Sequence, residues 1–299
     1  MSFTAGPVTV RVPASSANIG PGFDALGLAL TLHDEITAEV TDDGVSIDVI
    51  GQGAGSVALD ESHLVVQAMR GVFALLGEDP AGLRLTCRNA IPHGRGLGSS
   101  SAAIVGGITA ARALIDGGAD RLDDAAAFQL AVDLEGHPDN VAAAQFGGLT
   151  IAWVDHTAAA VERLDVAVEV TVFVPAVAVA TQHARGLLPA SVPHSDAAVN
   201  AGRAALLIVA LTTAPHRLMA ATEDRLHQHY RTEAMPESAE LVRQLRADGI
   251  AAVISGAGPT VLAFARGVAD RVPAGWVAHE LEVEPSGVAV VEPRTGAVI

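Results

Sequence analysis

The stretch Pro92-His93-Gly94-Arg95-Gly96-Leu97-Gly98-Ser99-Ser100-Ser101-Ala102 constrains this chain more than any other. Glycines alternate with other residues at Gly94, Gly96 and Gly98, three serines follow, and an alanine-rich apolar run continues to Leu114. Glycine enters positive φ without steric cost, so the alternation lets the backbone curl and turn its N–H groups inward. The run 102–114 has the length and composition of a helix, and Ser99, Ser100 and Ser101 stand where its N-cap is expected. Unpaired first-turn N–H groups, the positive end of a helix dipole and bare backbone together suit a phosphate. A glycine turn that merely opens a helix would use the same residues. Neither standard nucleotide fingerprint fits, because no lysine follows Gly98 and the spacing is G-x-G-x-G rather than G-x-G-x-x-G.

With 299 residues the chain can bury a sizeable core, in one large domain or two. Half of its residues are apolar and 17% are charged, which excludes a disordered chain. The net charge of −16 argues against nucleic acid or an anionic membrane as partner. Any nucleotide pocket must therefore be made positive locally, by backbone amides and a few arginines. The single Cys87 excludes an internal disulfide, fits a reducing compartment and, within a strand-like run, reads as packing. No signal peptide is read at the N-terminus, and no uninterrupted apolar run reaches the ~18 residues of a spanning helix. A cytoplasmic location is expected.

The first half reads as strands at 8–12, 28–32, 35–41, 45–50 and 83–88, with Asp42-Asp43-Gly44 as a hairpin turn. Helices are expected at 63–76 and 122–135, the latter ending at Gly136 with Pro138 stopping its propagation. Beyond about residue 150, strands at 149–154, 166–174, 251–255, 261–265, 276–283 and 288–292 accompany helices at 196–212, 215–230 and 236–247. Strands followed by helices, with no repeated βαβ unit, give an α+β fold class.

Two further segments bear on function: Pro13-Ala14-Ser15-Ser16-Ala17-Asn18-Ile19-Gly20-Pro21-Gly22-Phe23-Asp24-Ala25-Leu26-Gly27 and Ser255-Gly256-Ala257-Gly258-Pro259-Thr260. With 92–102 they resemble, in order, the motifs of the GHMP kinases, the galacto-, homoserine, mevalonate and phosphomevalonate kinase superfamily. The first of them, together with Glu135-Gly136-His137-Pro138-Asp139-Asn140, is similar to homoserine kinases in particular. The likeness runs over 10–264. It implies two packed α+β domains, 1–150 and 151–299, with the active site in the cleft between them. It also implies ATP held along the whole of 92–102, Mg²⁺, L-homoserine as acceptor and a homodimer.

Phosphoryl transfer depends on charge neutralisation and alignment more than on covalent catalysis. Magnesium takes oxygen ligands, and the resemblance implies that one of the three serines faces it, taken as Ser100. Glu135 is the matching carboxylate, with Asp133 as the alternative. Homoserine is a zwitterion, and an arginine fork is the best match for its carboxylate. Arg185 and Arg231 fit the family pattern. Asp24 is the ammonium partner, with Asn18 and Asn140 offering amide oxygens, and no lysine or arginine within five residues neutralises it. His137 and Asn140 orient the alcohol, Asp139 is a lesser candidate for general base, and Gly258 brings backbone close to loop and substrate. His183, His194, His227 and His229 show no metal-ligand spacing. The alternatives are a mevalonate-type kinase, which Asp24 argues against, and a non-catalytic nucleotide-binding regulator.

Overall fold

A computed structural model describes residues 3–156 and 158–292; 293–299 of the expected second half lie outside the described residues. The chain opens with β1 (Val8–Ala17), β2 (Leu26–Thr41), β3 (Gly44–Gly51), α1 (Leu64–Leu76), β4 (Gly82–Asn89) and α2 (Ser99–Leu114). Next come α3 (Gly118–Arg121), α4 (Asp124–Glu135), α5 (Pro138–Phe146), β5 (Leu149–Asp155), β6 (Ala158–Leu164) and β7 (Glu169–Val174). It closes with α6 (Thr181–Gly186), α7 (His194–Thr212), α8 (Leu218–Ala221), α9 (Pro236–Ala247), β8 (Ala252–Ile254), β9 (Val261–Ala263), β10 (Val277–Glu282) and β11 (Ala289–Val291).

The first sheet runs β11-β1-β2-β4-β3, and β5 with its partner β6 joins it at β2. The strands expected at 28–32 and 35–41 are one strand, because a bulge opposite Pro13/Ala14 shifts the register without breaking it. The expected hairpin at Asp42-Asp43-Gly44 is absent: β2 pairs with β4, and β3 lies parallel to β4 on its far side. The turn residues reverse the chain but do not choose its partner. β4 buries Leu83, Leu85 and Cys87 and takes the interior place, while β3 leaves Ser46 and Asp48 exposed at the edge.

α2 lies close over this sheet because it carries glycines where it crosses its neighbours. A Cβ on Gly107 would stand 2.7 Å from the Val65 carbonyl oxygen of α1. That close approach fixes the start of α2, and with it the loop before it. Pro138 does not simply stop α4. Gly136, at φ 88°, ends that helix, His137 is extended, and Pro138 opens α5 from its first turn, where a missing N–H costs nothing.

The second sheet runs β10-β7-β9-β8. Sheet membership changes between Leu164 and Glu169 rather than at 150, and β11 returns to β1. Val170, Val172 and Leu262 share one core with Val10 and Leu28, so the two sheets are bonded through a common interior. Phe173, Met235, Leu241, Leu245 and Ile254 build a smaller core of their own. The helix expected at 215–230 stops at Ala221, because the buried Asp224 carboxylate accepts from the Leu226, His227 and Gln228 N–H groups and turns the chain. α7 is long and apolar enough to span a membrane by length and composition, although His194, Asp196 and Arg203 interrupt its apolar run. Its Leu207 and Leu211 are buried in the shared core.

Candidate active site

Gly94, Gly96 and Gly98 have φ of 65°, 78° and 71°, the left-handed region in which a side chain is strained. A Cβ on Gly96 would overlap the Ser255 carbonyl and stand 2.9 Å from that of Gly258; one on Gly98 would overlap Ser15 Oγ. The loop is thus clamped between the segment 255–260 and β1. Arg95 is committed to the clamp, donating to the carbonyls of His93 at 2.7 Å, Pro175 at 3.0 Å and Ala176 at 2.6 Å.

The serines do not cap α2 as expected. Gly98 holds the cap position without a side-chain bond, and the Ser100 and Ser101 hydroxyls instead donate to Glu135 Oε1 at 2.7 and 2.8 Å. Glu135 ends α4, where its own helix dipole disfavours it, and lies against the N-terminus of α2, where a negative charge is favoured. Asp133 accepts from Gln129 on the exposed side of α4. Of the two carboxylates, Glu135 reaches the loop.

A cavity of about 420 Å³ opens here, lined by Gly96, Gly98, Ser100, Glu135, His137, Asn140 and Arg185. Gly256 and Ala257 line it where Gly258 was expected; Gly258 packs instead on Met235 and the underside of Gly96. A second cavity of about 320 Å³ adjoins it through Ser99 and Ser100 and is lined by Asp34, His63, Asn89 and His93 among others. Sequence reasoning reached only its loop residues His93, Ser99 and Ser100, because its other walls come from separated strands and helices that no contiguous motif joins.

Asp34 in that second cavity accepts from the Ala90 and Ile91 N–H groups at 2.7 and 2.8 Å, and burial pushes its carboxyl up to about 6. A carboxyl whose folded value is raised binds its proton more tightly when folded, so stability falls as pH climbs from the unfolded value of 3.8 to about 6. Asp34→Asn keeps an acceptor oxygen for both amides and removes that loss. Its melting temperature should match the parent's near about pH 4 and exceed it increasingly towards about pH 7. A constant gap across the range would show that Asp34 carries no buried charge. Burial likewise pushes the Cys87 thiol up to about 12, which leaves it a packing residue.

Of the expected Asn18, Asp24, Arg185 and Arg231, Arg185 alone lies in the cavity lining, and the sequence reading needs two corrections here. Asn18 is not a free acceptor: its Oδ1 takes the Asp24 N–H at 2.9 Å and its Nδ2 donates to the Gly256 carbonyl at 2.9 Å, bracing the loop 18–24. Asp24, itself at φ 54°, is not left without a cation. Arg185 pairs with it in a bidentate fork, Nη1 to Oδ2 at 3.0 Å and Nη2 to Oδ1 at 2.8 Å. Arg231 is 2% exposed, and burial pushes its pKa down. Its Nη1 donates to the Gly256 carbonyl at 3.3 Å, and its Nε has no partner among the described residues.

Asn140 lines the cleft with its Oδ1 held by Ser15 Oγ at 2.8 Å. Asp139 is 3% exposed and accepts the Asn140 N–H at 2.8 Å, beneath the cleft rather than in its lining. Burial pushes its carboxyl up to about 6, against the pull of His137.

The family model for the GHMP kinases N terminal domain matches residues 63–148, and that for GHMP kinases C terminal matches 207–280. The homoserine kinase of Streptomyces coelicolor is 56% identical over 99% of this chain and 98% of its own length. That of Clavibacter michiganensis is 53% identical over 93% and 89%. A putative homoserine kinase structure from Listeria monocytogenes superposes with a TM-score of 0.75 at 30% identity, covering 96% of this chain and 99% of that one. The Cytophaga hutchinsonii homoserine kinase superposes at 0.81, with 24% identity over 97% and 100%, and shows the fold. With the fold, the clamped glycine loop and more than half of all positions shared along nearly the whole chain, this protein belongs to the homoserine kinase family of the GHMP kinases.

Proposed function

We propose that this protein transfers the γ-phosphoryl group of ATP to the hydroxyl of L-homoserine, giving O-phospho-L-homoserine and ADP on the route to threonine. The observation that carries the reading is one cleft lined by Ser100 and Glu135 at the α2 N-terminus and by Arg185, whose partner Asp24 and the buried Arg231 stand outside that lining. The first half suits a metal–nucleotide, the second a small molecule carrying both charges.

The amides of 94–98 and the α2 N-terminus hold the phosphates, and the cavity at Asp34, His63 and Asn89 has room for the base. One carboxylate with hydroxyls fits a hard cation that also takes phosphate oxygens and water, so Glu135 and Ser100 or Ser101 would hold Mg²⁺. When bound, that ion would neutralise charge on the phosphates. Arg231 and Arg185 receive the substrate carboxylate, Asp24 its ammonium, and His137 and Asn140 orient the alcohol. The alcohol oxygen forms its bond to γ-phosphorus as the bond to the β–γ bridging oxygen breaks, and that oxygen leaves with the electron pair on ADP. The hydroxyl proton passes to the transferred phosphoryl group. The burial and prior hydrogen bond of Asp139 support this route over a general base there.

A coupled ADP-release assay over homoserine, mevalonate, galactose and threonine tests the reading. Homoserine alone should give turnover. Equal turnover with mevalonate would overturn the substrate, and none with any alcohol would favour a nucleotide-binding regulator. Glu135→Gln should lower kcat for homoserine on the order of 100- to 1,000-fold, the usual cost of removing one electrostatic stabiliser. If kcat keeps its parent value, Glu135 is not the metal carboxylate.

A further inference from the structure

Phe23 stands in the loop before Asp24, half-buried, yet it belongs to neither apolar core. Three polar groups face its ring. The Arg185 guanidinium carbon lies 5.6 Å from the ring centroid, that of Arg231 5.4 Å, and the His227 ring 5.1 Å at a 31° tilt. The backbone beneath is fixed by the Gly22 N–H on the Asn18 carbonyl and by the Asp24 N–H on Asn18 Oδ1, both at 2.9 Å. A phenylalanine placed only to fill space would sit among apolar side chains. This one presents the negative face of its π-system to two cations.

Asp24 forks Arg185 from one side, whereas Arg231 has only His227 Nδ1 and the Gly256 carbonyl, both at 3.3 Å, among the described residues. Arg231 and Arg185 repel each other, and the repulsion adds to the burial that pushes the Arg231 pKa down. The Arg231 Nε has no partner among the described residues, so nothing on that side of the guanidinium fixes it. We propose that Phe23 is a positioning residue for the substrate carboxylate, its ring holding the Arg185 and Arg231 guanidinium groups where one anion meets both. The proposal rests on the homoserine reading.

Leucine keeps the apolar bulk of Phe23 and lacks the quadrupole; tyrosine keeps the ring. The parent is assayed first, and if it forms no phosphohomoserine the functional reading fails whatever Phe23 does. With an active parent, Phe23→Leu should raise the KM for homoserine about five- to thirtyfold, the worth of two such contacts. The KM for ATP should move less than about twofold and kcat at saturating homoserine less than about threefold, while Phe23→Tyr returns the homoserine KM to near the parent value. The amino alcohol 3-amino-1-propanol lacks the carboxylate, so its kcat/KM should be the same in parent and Phe23→Leu. The proposal is overturned if Phe23→Leu keeps the parent KM, if it loses the same factor on both alcohols, or if tyrosine fails to rescue.

Discussion

Gly98→Ala is expected to weaken nucleotide binding severely. Gly98 combines a φ of 71° with a Cβ direction that overlaps Ser15 Oγ and comes within 3.2 Å of Asn140 Oδ1. Ser15 has no room to yield: it is fully buried, its N–H donates to the Leu97 carbonyl at 3.1 Å and its hydroxyl holds Asn140. The loop must lift off β1 instead, carrying the first turn of α2 away from Glu135. A displacement of about 1 Å in such a site costs on the order of 100-fold. Gly267→Ala is the control, because Gly267 has a similar φ of 73° with nothing within 4 Å of its Cβ. Calorimetric titration with a non-hydrolysable ATP analogue separates strain from collision. Should Gly98→Ala bind the analogue as tightly as Gly267→Ala does, the loop is not the phosphate site.

Arg231→Ala should cost nearly as much, on the other substrate. The side chain is 2% exposed, and its loss would leave the Gly256 carbonyl and His227 Nδ1 facing a hole. Removing one partner of a buried charged contact costs about 2–5 kcal/mol, on the order of a 30- to several-thousand-fold loss. The KM for homoserine should rise by that range while the KM for ATP holds. Arg231→Lys should fail to rescue, since an ammonium cannot reproduce the planar fork. A matching rise in both KM values would mean that Arg231 supports the loop 255–260 and not the substrate.

What the sequence made legible was contiguous. Gly94 to Ser101 placed a phosphate loop at a helix start, and Glu135 in its Glu-Gly-His-Pro-Asp-Asn run was preferred to Asp133 on pattern alone. In the structure α2 does start after Gly98, and Glu135 rather than Asp133 bonds its serines, while the phosphate and metal roles remain proposals. What stayed hidden depended on contacts far apart in the chain. Asp24 finds its cation 161 residues away, a pairing that no local reading reaches. Asp34, His63 and Asn89 meet only once β4 has slipped between β2 and β3, an order set by burial and not by the turn at Asp42-Asp43-Gly44. Asp224 broke the helix expected at 215–230, because a side chain able to accept three N–H groups outcompetes the ladder of its own segment. Pro138 was read as a terminator when its place at the first turn made it an initiator.

The Asp24–Arg185 fork makes the cleft a lock that carries its own counter-ions. Every ligand that uses either group must first part them, and that initial cost is the same for all. A lone carboxylate then recovers Arg185 but strands Asp24; a lone amine recovers Asp24 but strands Arg185. A molecule bearing both charges exchanges one ion pair for two and strands nothing, although with Arg185 and Asp24 41% and 35% exposed, water softens the cost of stranding either. On the proposed reading, discrimination against singly charged alcohols would begin in a bond that has to be traded like for like.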